Sequence, residues 1–384
     1  MARLRDTDAC PGALQTHRAA DGDLARVRLP AGMLSAAQME AIATAALDLA
    51  APALELTSRG NIQIRGIRDA EELARRLTGA GLLPAPNREK IRNIVASPLS
   101  GRQGGVLDVR AMVEALDAAL QTDPALADLP GRFLFGIDDG RGDIAGLGAD
   151  AAVCAVDGDT VALVLSGADT GVRVPAGEAV KSLLAVARRF VEVRGKAWRI
   201  KELTAPEVVL GALTPTAPAG RTWPVRTRPP VGWLPQDDGR IALGAAVPLG
   251  VLDAERARYL AAVDAPLIIT PWRSVVIADL DDGVADAALR VLAPLGFVFD
   301  ENSPWLSVSA CTGRPGCTHA LADVRADAAA SLDDAAYFDD AAFEDRDPAR
   351  HRHFVGCDRA CGSPADADVL IATGDGYRPR PAHP

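Results

Sequence analysis

Four cysteines carry the clearest chemistry in this 384-residue chain. Cys311-Thr-Gly-Arg-Pro-Gly-Cys317 is followed further on by Cys357-Asp-Arg-Ala-Cys361. Gly and Pro surround both pairs, as loops that fold closely around a cofactor require. Cys357 and Cys361 are four apart, so on one helical turn their thiols share a face. Four thiolates are the usual ligand set of a 4Fe–4S cluster. Structural zinc draws cysteines in C-x2–4-C pairs, which fits the second pair and not the first. Zinc and unrelated thiols stay open on spacing alone. Cys154, inside an apolar run, reads as a core residue. Cys10, in Cys10-Pro11-Gly12, is either a loop thiol or a further ligand.

The elements that must position these thiols occur twice. Leu29-Pro30-Ala31-Gly32-Met33-Leu34-Ser35 is echoed by Val247-Pro248-Leu249-Gly250-Val251-Leu252-Asp253, and each echo opens a helix-like run. Ser35 with Gln38 has capping-box spacing, and Asp253 is a good N-cap in the same place. Leu56 to Ile64 then pairs without gaps with Ile269 to Ile277, both alternating as half-buried strands do. Helices are predicted at 69–79 and 282–293, and strand-like segments follow that end in Ser100-Gly101-Arg102 and Thr312-Gly313-Arg314. Such order points to a duplicated unit.

Between the copies, 87–212 reads as α/β structure, with strand-like runs near 132–136, 151–156 and 160–165. A helix is expected near 175–192. The segment 213–236 holds Pro215, Pro218, Pro224, Pro229, Pro230 and Pro235, and is expected to be an extended linker without regular structure. The expected organisation is thus 1–86, 87–212, the linker, 237–300 and 301–384. The acid-rich stretch 327–347 reads as a solvated loop. Gly140-Arg-Gly142-Asp-Ile-Ala-Gly146 has the wrong spacing for a nucleotide-binding turn.

A net charge of −10 argues against a diffuse nucleic-acid or anionic-membrane binder. No apolar run approaches the roughly 20 residues of a membrane helix, and the first residues lead into no signal core. The cytoplasm is the expected compartment, where disulfides poorly explain the cysteines. A monomer is expected.

With C-x5-C, C-x3-C and a duplicated half-domain carrying Thr57-x-Arg59-x-x-x-Gln63, the chain resembles the sulfite/nitrite reductase superfamily over almost its whole length. The resemblance implies an α+β fold with α/β lobes. Two ferredoxin-like half-domains pair about a pseudo-two-fold axis, with cofactors between the larger lobes. It also implies that Cys311, Cys317, Cys357 and Cys361 hold a 4Fe–4S cluster. Arg59, Asn61 and Gln63, then Arg92 and Asn93, then Arg132 match the positions that surround a tetrapyrrole. Such a basic lining suits a macrocycle rimmed with acetates and propionates. Arg65, Arg68, Arg88, Lys90, Lys196, Arg199 and Lys201 are further basic candidates.

One departure matters. The reductases carry Lys-x-Lys where this chain has Arg132 and Leu134, so the second cation that serves sulfite or nitrite is missing. The segments Ala9–Gly12, Leu129–Phe135 and Thr373–Tyr377 resemble the precorrin-3B synthase branch. There precorrin-3A is substrate, hydroxylated with O2 and closed to a lactone in aerobic cobalamin biosynthesis. The electron donor is then external, a reductase or ferredoxin. A mononuclear non-haem iron near Cys361 is expected, with Cys10, His17, His319, His351 or His353 as partners. A sirohaem-dependent sulfite or nitrite reductase is the alternative, and a non-catalytic electron carrier or tetrapyrrole-binding protein the third reading.

Overall fold

The computed structural model describes residues 10–223, 226, 228–333, 350–364 and 367–380. The first copy runs through β1 (His17–Ala19), β2 (Gly22–Val27), β3 (Met33–Leu34), α1 (Ala36–Leu49), β4 (Ala53–Leu56), β5 (Ile62–Ile67) and α2 (Ala70–Gly79). A lobe follows with β6 (Ile94–Ala96), α3 (Arg110–Thr122), β7 (Phe135–Asp138), β8 (Ala151–Ala155), β9 (Thr160–Leu165), β10 (Ala168–Pro175) and α4 (Ala179–Val193). The second copy comprises β11 (Gly232–Pro235), β12 (Ile241–Ala246), β13 (Val251–Asp253), α5 (Ala254–Ala261), β14 (Leu267–Ile269), β15 (Ser274–Leu280) and α6 (Asp282–Leu292). The last lobe holds β16 (Val308–Ala310), α7 (Val324–Asp333), β17 (Arg352–Val355), β18 (Asp368–Ala372) and β19 (Tyr377–Pro379).

The two copies match down to single torsions. Ala31 and Leu249 both adopt a left-handed φ, 53° and 55°, and the following Gly32 and Gly250 have φ 71° and 70°. In each, the glycine N–H donates to the residue three back, Leu29 or Val247, at 2.8 Å. Ser35 and Gln38 form the reciprocal capping box of α1, and Asp253 caps α5 by accepting from the Glu255 and Arg256 amides.

Each copy lends a strand to the other. One sheet is ordered β1-β2-β5-β4-β13 and its counterpart β11-β12-β15-β14-β3. Leu252 of β13 lies opposite Leu54 of β4, and Leu34 of β3 lies opposite Leu267 of β14. Helices α1 and α5 pack together, so both halves share one core that includes Met39, Ile42, Leu54, Ile64, Leu252, Leu260, Leu267 and Ile277. Burial on that scale contributes about 25 cal/mol per Å² of apolar surface.

The lobes dock crosswise. Arg102 of the first lobe forms a two-point ion pair with Asp279 of the second copy at 2.9 and 2.8 Å. Arg325 of the last lobe meets Glu55 of the first copy at 2.5 Å. The first lobe's sheet, β10-β9-β8-β7-β6, is parallel from β6 to β8, and the last lobe's, β16-β17-β18-β19, from β16 to β18.

Three local expectations change. Residues Gly232–Pro235 form a strand inside the stretch expected to lack regular structure. Pro235 is tolerated because this is the sheet's edge strand. Helix α4 begins at Ala179, after a 3-10 turn over Ala176–Glu178. Of the acid-rich stretch, 327–333 is helical rather than a loop, and 334–347 lies outside the described residues.

The loop Gly140–Gly146 wraps its own carboxylate instead of a phosphate. Asp138 accepts from the amides of Gly140, Gly142, Ile144 and Ala145, all at 2.8–2.9 Å. Neighbouring Asp143 is pushed up to about 7, first by burial and then by the Asp138 charge, while Ser97 and Arg141 oppose the shift. Its folded pKa is raised from 3.8, so this carboxyl takes up a proton on folding. Its stabilising contribution is complete below the unfolded value and is lost as pH rises towards 7. Asp143→Asn should therefore flatten the fall in stability between pH 4.5 and 7, a slope approaching about 1.4 kcal/mol per pH unit. Urea unfolding across that range measures it, and an unchanged slope in the variant contradicts the assignment.

Candidate functional site

Both cysteine pairs sit at the carboxyl ends of adjacent parallel strands, where open α/β sheets place ligands. Cys311 follows β16 directly, and its amide donates to Phe354 of β17 at 2.9 Å. Cys357 follows β17 after Gly356, whose N–H donates to the Cys311 sulfur at 3.3 Å. A side chain at Gly356 has no room, since a Cβ there meets Ala320 Cβ at 2.5 Å. The strand ends are thereby held close.

Burial pushes the Cys311 and Cys361 thiols up, and the neighbouring cysteines push both further. Thiols gathered in this way ionise together only around compensating positive charge. Among the described residues, no three of the sulfurs lie within 4.8 Å of one another. A tetrahedral zinc with Zn–S of about 2.3 Å needs sulfurs roughly 3.8 Å apart. The C-x5-C spacing and the four-thiol donor set fit a 4Fe–4S cluster better than zinc.

The second centre is a group of arginines around β2, β5 and the β4–β5 turn. Arg28 is 2% exposed, and none of its three side-chain nitrogens has a hydrogen-bond partner among the described residues. Burial lowers it to about 9, and Arg26 and Arg59 add repulsion, with Cys10 and Glu89 opposing. Arg59 is lowered to about 10, chiefly by burial and then by Arg199 and Arg26. Arg26 donates to Gln63 Oε1 at 2.9 Å and feels Cys10 and Arg132. Arg199 is tied to Asp150 at 2.5 Å and to the Gly148 carbonyl at 2.7 Å. Arg132 is exposed and stacks over Trp198, 5.1 Å from the ring centroid.

Buried Arg28 and half-buried Arg59, without ion pairs among the described residues and set among further cations, suit a multiply charged anion. A polar chain leads from this group towards the cysteines. Gln63 Nε2 donates to Glu55 at 2.6 Å, Glu55 meets Arg325, and Arg65 donates to the Gly316 carbonyl beside Cys317 at 2.6 Å.

The expected residues divide. Arg59 and Arg132 belong to the arginine group, and Gln63 orients Arg26. Asn61 holds the Leu29 amide at 2.9 Å, and its Nδ2 is buried without a partner. Arg92 is a correction. Its fork closes on Asp117 of α3 at 2.6 and 2.8 Å, and it is 5% exposed, so it fastens α3 rather than offering a free charge to a ligand. Asn93 bonds the Lys90 and Gly131 carbonyls at 3.0 and 2.6 Å, bracing the loop before Arg132.

The histidines considered for a second iron do not converge. His351 is bonded through both ring nitrogens, to Ser309 and the Leu306 carbonyl, and His353 to Ser309 and the Cys361 carbonyl. His319 and His17 are exposed. Cys10 lies with the arginines, as its influence on Arg26, Arg28 and Arg59 shows.

Arg26 and Arg28 were not anticipated from sequence. The signal lay in comparing the copies, because Gly244 and Ala246 stand where the first copy has Arg26 and Arg28.

An unpaired buried charge destabilises the free protein and favours an anionic ligand. Arg28→Met should therefore raise the melting temperature of the ligand-free protein while weakening binding of a tetrapyrrole polycarboxylate. Calorimetry and a binding titration read the two effects, and losses in both assays contradict the receptor role. For the first centre, Cys357→Ser should remove most of the iron from anaerobically purified protein. Stoichiometric zinc without iron in the unmutated protein contradicts the cluster.

Comparison with known proteins bears on the fold. Residues 17–79 match the nitrite/sulfite reductase ferredoxin-like half domain. A ferredoxin–nitrite reductase of Synechococcus elongatus is 27% identical, covering 90% of this chain and 75% of its own. A precorrin-3B synthase of a Sinorhizobium species is 26% identical, covering 96% and 81%. An assimilatory ferredoxin-dependent nitrite reductase of Haloferax mediterranei is 24% identical over 88% and 68%. The solved structure of Mycobacterium tuberculosis NirA superposes with a TM-score of 0.74 at 22% identity, covering 93% of this chain and 73% of that one. The chain thus has the nitrite/sulfite reductase fold with its ferredoxin-like half-domain, and nitrite reductases and a precorrin-3B synthase are its relatives.

Proposed function

We propose that the chain is a precorrin-3B synthase. It hydroxylates precorrin-3A with O2 and closes a ring acetate onto the macrocycle as a lactone. One oxygen atom enters the substrate and the other leaves as water, with two electrons from an external donor. Ferredoxin is the donor class suggested by the ferredoxin-dependent relatives. The cluster held by Cys311, Cys317, Cys357 and Cys361 would supply one-electron transfer between donor and site.

The protein's own part is recognition and orientation. Arg28 and Arg59 take substrate carboxylates out of water and fix the macrocycle in two places. Arg26, steadied by Gln63, adds a third cation, while Arg199 is kept in position by Asp150. Arg132 on Trp198 stands at the exposed rim, where it meets the incoming polyanion.

The observation that favours this reading over an anion reductase is Leu134. It is 5% exposed, in an apolar cluster with Val95, Ile144 and Cys154, and its amide is held by Asp150 at 2.9 Å. A second cation for sulfite or nitrite is therefore missing at this position, and a lysine placed there would enter an apolar pocket.

Anaerobically purified holo-protein supplied with reduced donor should convert precorrin-3A under 18O2 to a product heavier by one labelled oxygen. Sulfite and nitrite should not be consumed. Turnover of either anion without conversion of precorrin-3A returns the sirohaem reductase to first place, and binding without turnover of any of the three favours the carrier. A charge-assisted hydrogen bond contributes about 1.5–3 kcal/mol, so at about 1.4 kcal/mol per decade Arg59→Ala should weaken precorrin-3A binding roughly 10- to 150-fold. Unchanged affinity in a folded variant removes Arg59 from the site.

A further inference from the structure

The duplication supplies two equivalent turns, close enough that a Cβ on Gly60 would meet the Ile269 carbonyl at 2.8 Å, and they differ in where the cation stands. Arg59-Gly60 in the first copy corresponds to Trp272-Arg273 in the second. The geometry is the same in both: the Gly60 amide donates to Thr57 and the Arg273 amide to Thr270, each at 3.1 Å. Thr57 and Thr270 donate in turn to the Asn61 and Ser274 carbonyls, each at 2.9 Å. The left-handed position has φ 66° at Gly60 and 58° at Arg273. Glycine takes that conformation freely, whereas arginine takes it only at an energetic cost. The second copy accepts the strain and sends this guanidinium to the cysteine loops instead of the arginine receptor. Gly250 makes room for it, since a Cβ there meets Arg273 Cδ at 2.6 Å.

Arg273 donates to the Gly362 carbonyl, one residue past Cys361, at 3.0 Å. Cys311 lies close enough for its charge to act on Arg273. The first copy makes the matching contact to the other cysteine pair, because Arg65 donates to the Gly316 carbonyl, one residue before Cys317, at 2.6 Å. Each half-domain therefore grips one cysteine loop through one arginine. The two grips differ in charge. Arg65 is neutralised by both oxygens of Asp21, at 2.8 and 2.9 Å, with Glu55 at 3.8 Å. Arg273 has no ion pair among the described residues; Arg325 repels it, and Glu55 and Cys311 attract it from outside ion-pair distance.

We infer that Arg273 is a positioning residue for the iron–sulfur cluster, holding the Cys357–Cys361 loop and, through a charge on which no ion pair closes, favouring the reduced cluster. Arg65 holds the opposite loop with its charge cancelled. Reduction adds one electron to the cluster and no bond forms or breaks, so a nearby positive charge stabilises the product state directly. Charge buried with little solvent screening acts over several ångströms. This inference rests on the four-cysteine cluster.

Mediated potentiometric titration of anaerobically purified holo-protein, followed by the EPR signal of the reduced cluster, tests it. Wild-type protein with no iron and no such signal sinks the cluster reading itself, and is distinguishable from failure of the present inference. With the cluster present, Arg273→Gln should shift the reduced-to-oxidised ratio at fixed potential on the order of tenfold towards oxidised, about 59 mV more negative for a one-electron couple. Arg273→Lys should hold the wild-type potential, and the double change Arg65→Gln with Asp21→Asn, which removes a cation together with its anion, should leave the potential in place while shortening cluster lifetime in air. An unchanged midpoint in Arg273→Gln overturns the inference. If that variant purifies without a cluster, Arg273→Lys decides. A wild-type potential there supports the role, and a shift as negative as removal of a charge predicts overturns it.

Discussion

The exchange of β3 and β13 between the two copies is the constraint on which the rest of the molecule depends. Leu34 against Leu267 and Leu252 against Leu54 are equivalent pairs, so neither half can complete its sheet or bury its helix alone. Once the halves are locked in that way, the β4–β5 and β14–β15 turns are fixed relative to each other. The lobes then dock crosswise, the first lobe through Arg102 on Asp279 and the last through Arg325 on Glu55. The arginine group and the cysteine loops are linked through this core by Gln63, Glu55 and Arg65.

Electrostatics then separates structural charge from functional charge. Arg65, Arg92, Arg102 and Arg141 each close on a carboxylate, and such pairs set geometry more than they add stability. Arg28, Arg59 and Arg273 have no such partner among the described residues, and for Arg28, 2% exposed with no hydrogen bond to its guanidinium, burial makes this costly. Cations left in that condition point at whatever anion the fold is built to receive. In the function proposed above, that anion is a carboxylate-rich macrocycle for Arg28 and Arg59 and a thiolate-bound cluster for Arg273.

The duplication is legible in the sequence because the same turn chemistry recurs, an aliphatic residue before Pro-x-Gly with a cap three residues on. Sequence reading reached the cysteine pairs because both lie among glycines and prolines and the first has a spacing unusual for zinc. It missed Arg26 and Arg28 because a cation beside a strand reads as a solvated edge, and only the fold shows that this edge is buried. It overvalued Arg92 because Asp117, its partner, lies on another element and leaves no local trace. The strand exchange was equally invisible, since β3 and β13 are too short to carry a periodic signal and are defined by what they pair with. The expected second iron had the same weakness, for the histidines near Cys361 are spoken for by Ser309 and by backbone carbonyls.

The central claim is that the tetrapyrrole passes through this site as substrate and does not reside there as a cofactor. The absorption spectrum of anaerobically purified, catalytically active protein tests it most directly. The account predicts the broad visible absorbance of an iron–sulfur cluster with no haem bands, and macrocycle bands that appear only when precorrin-3A is added. A stoichiometric sirohaem that persists through turnover contradicts it.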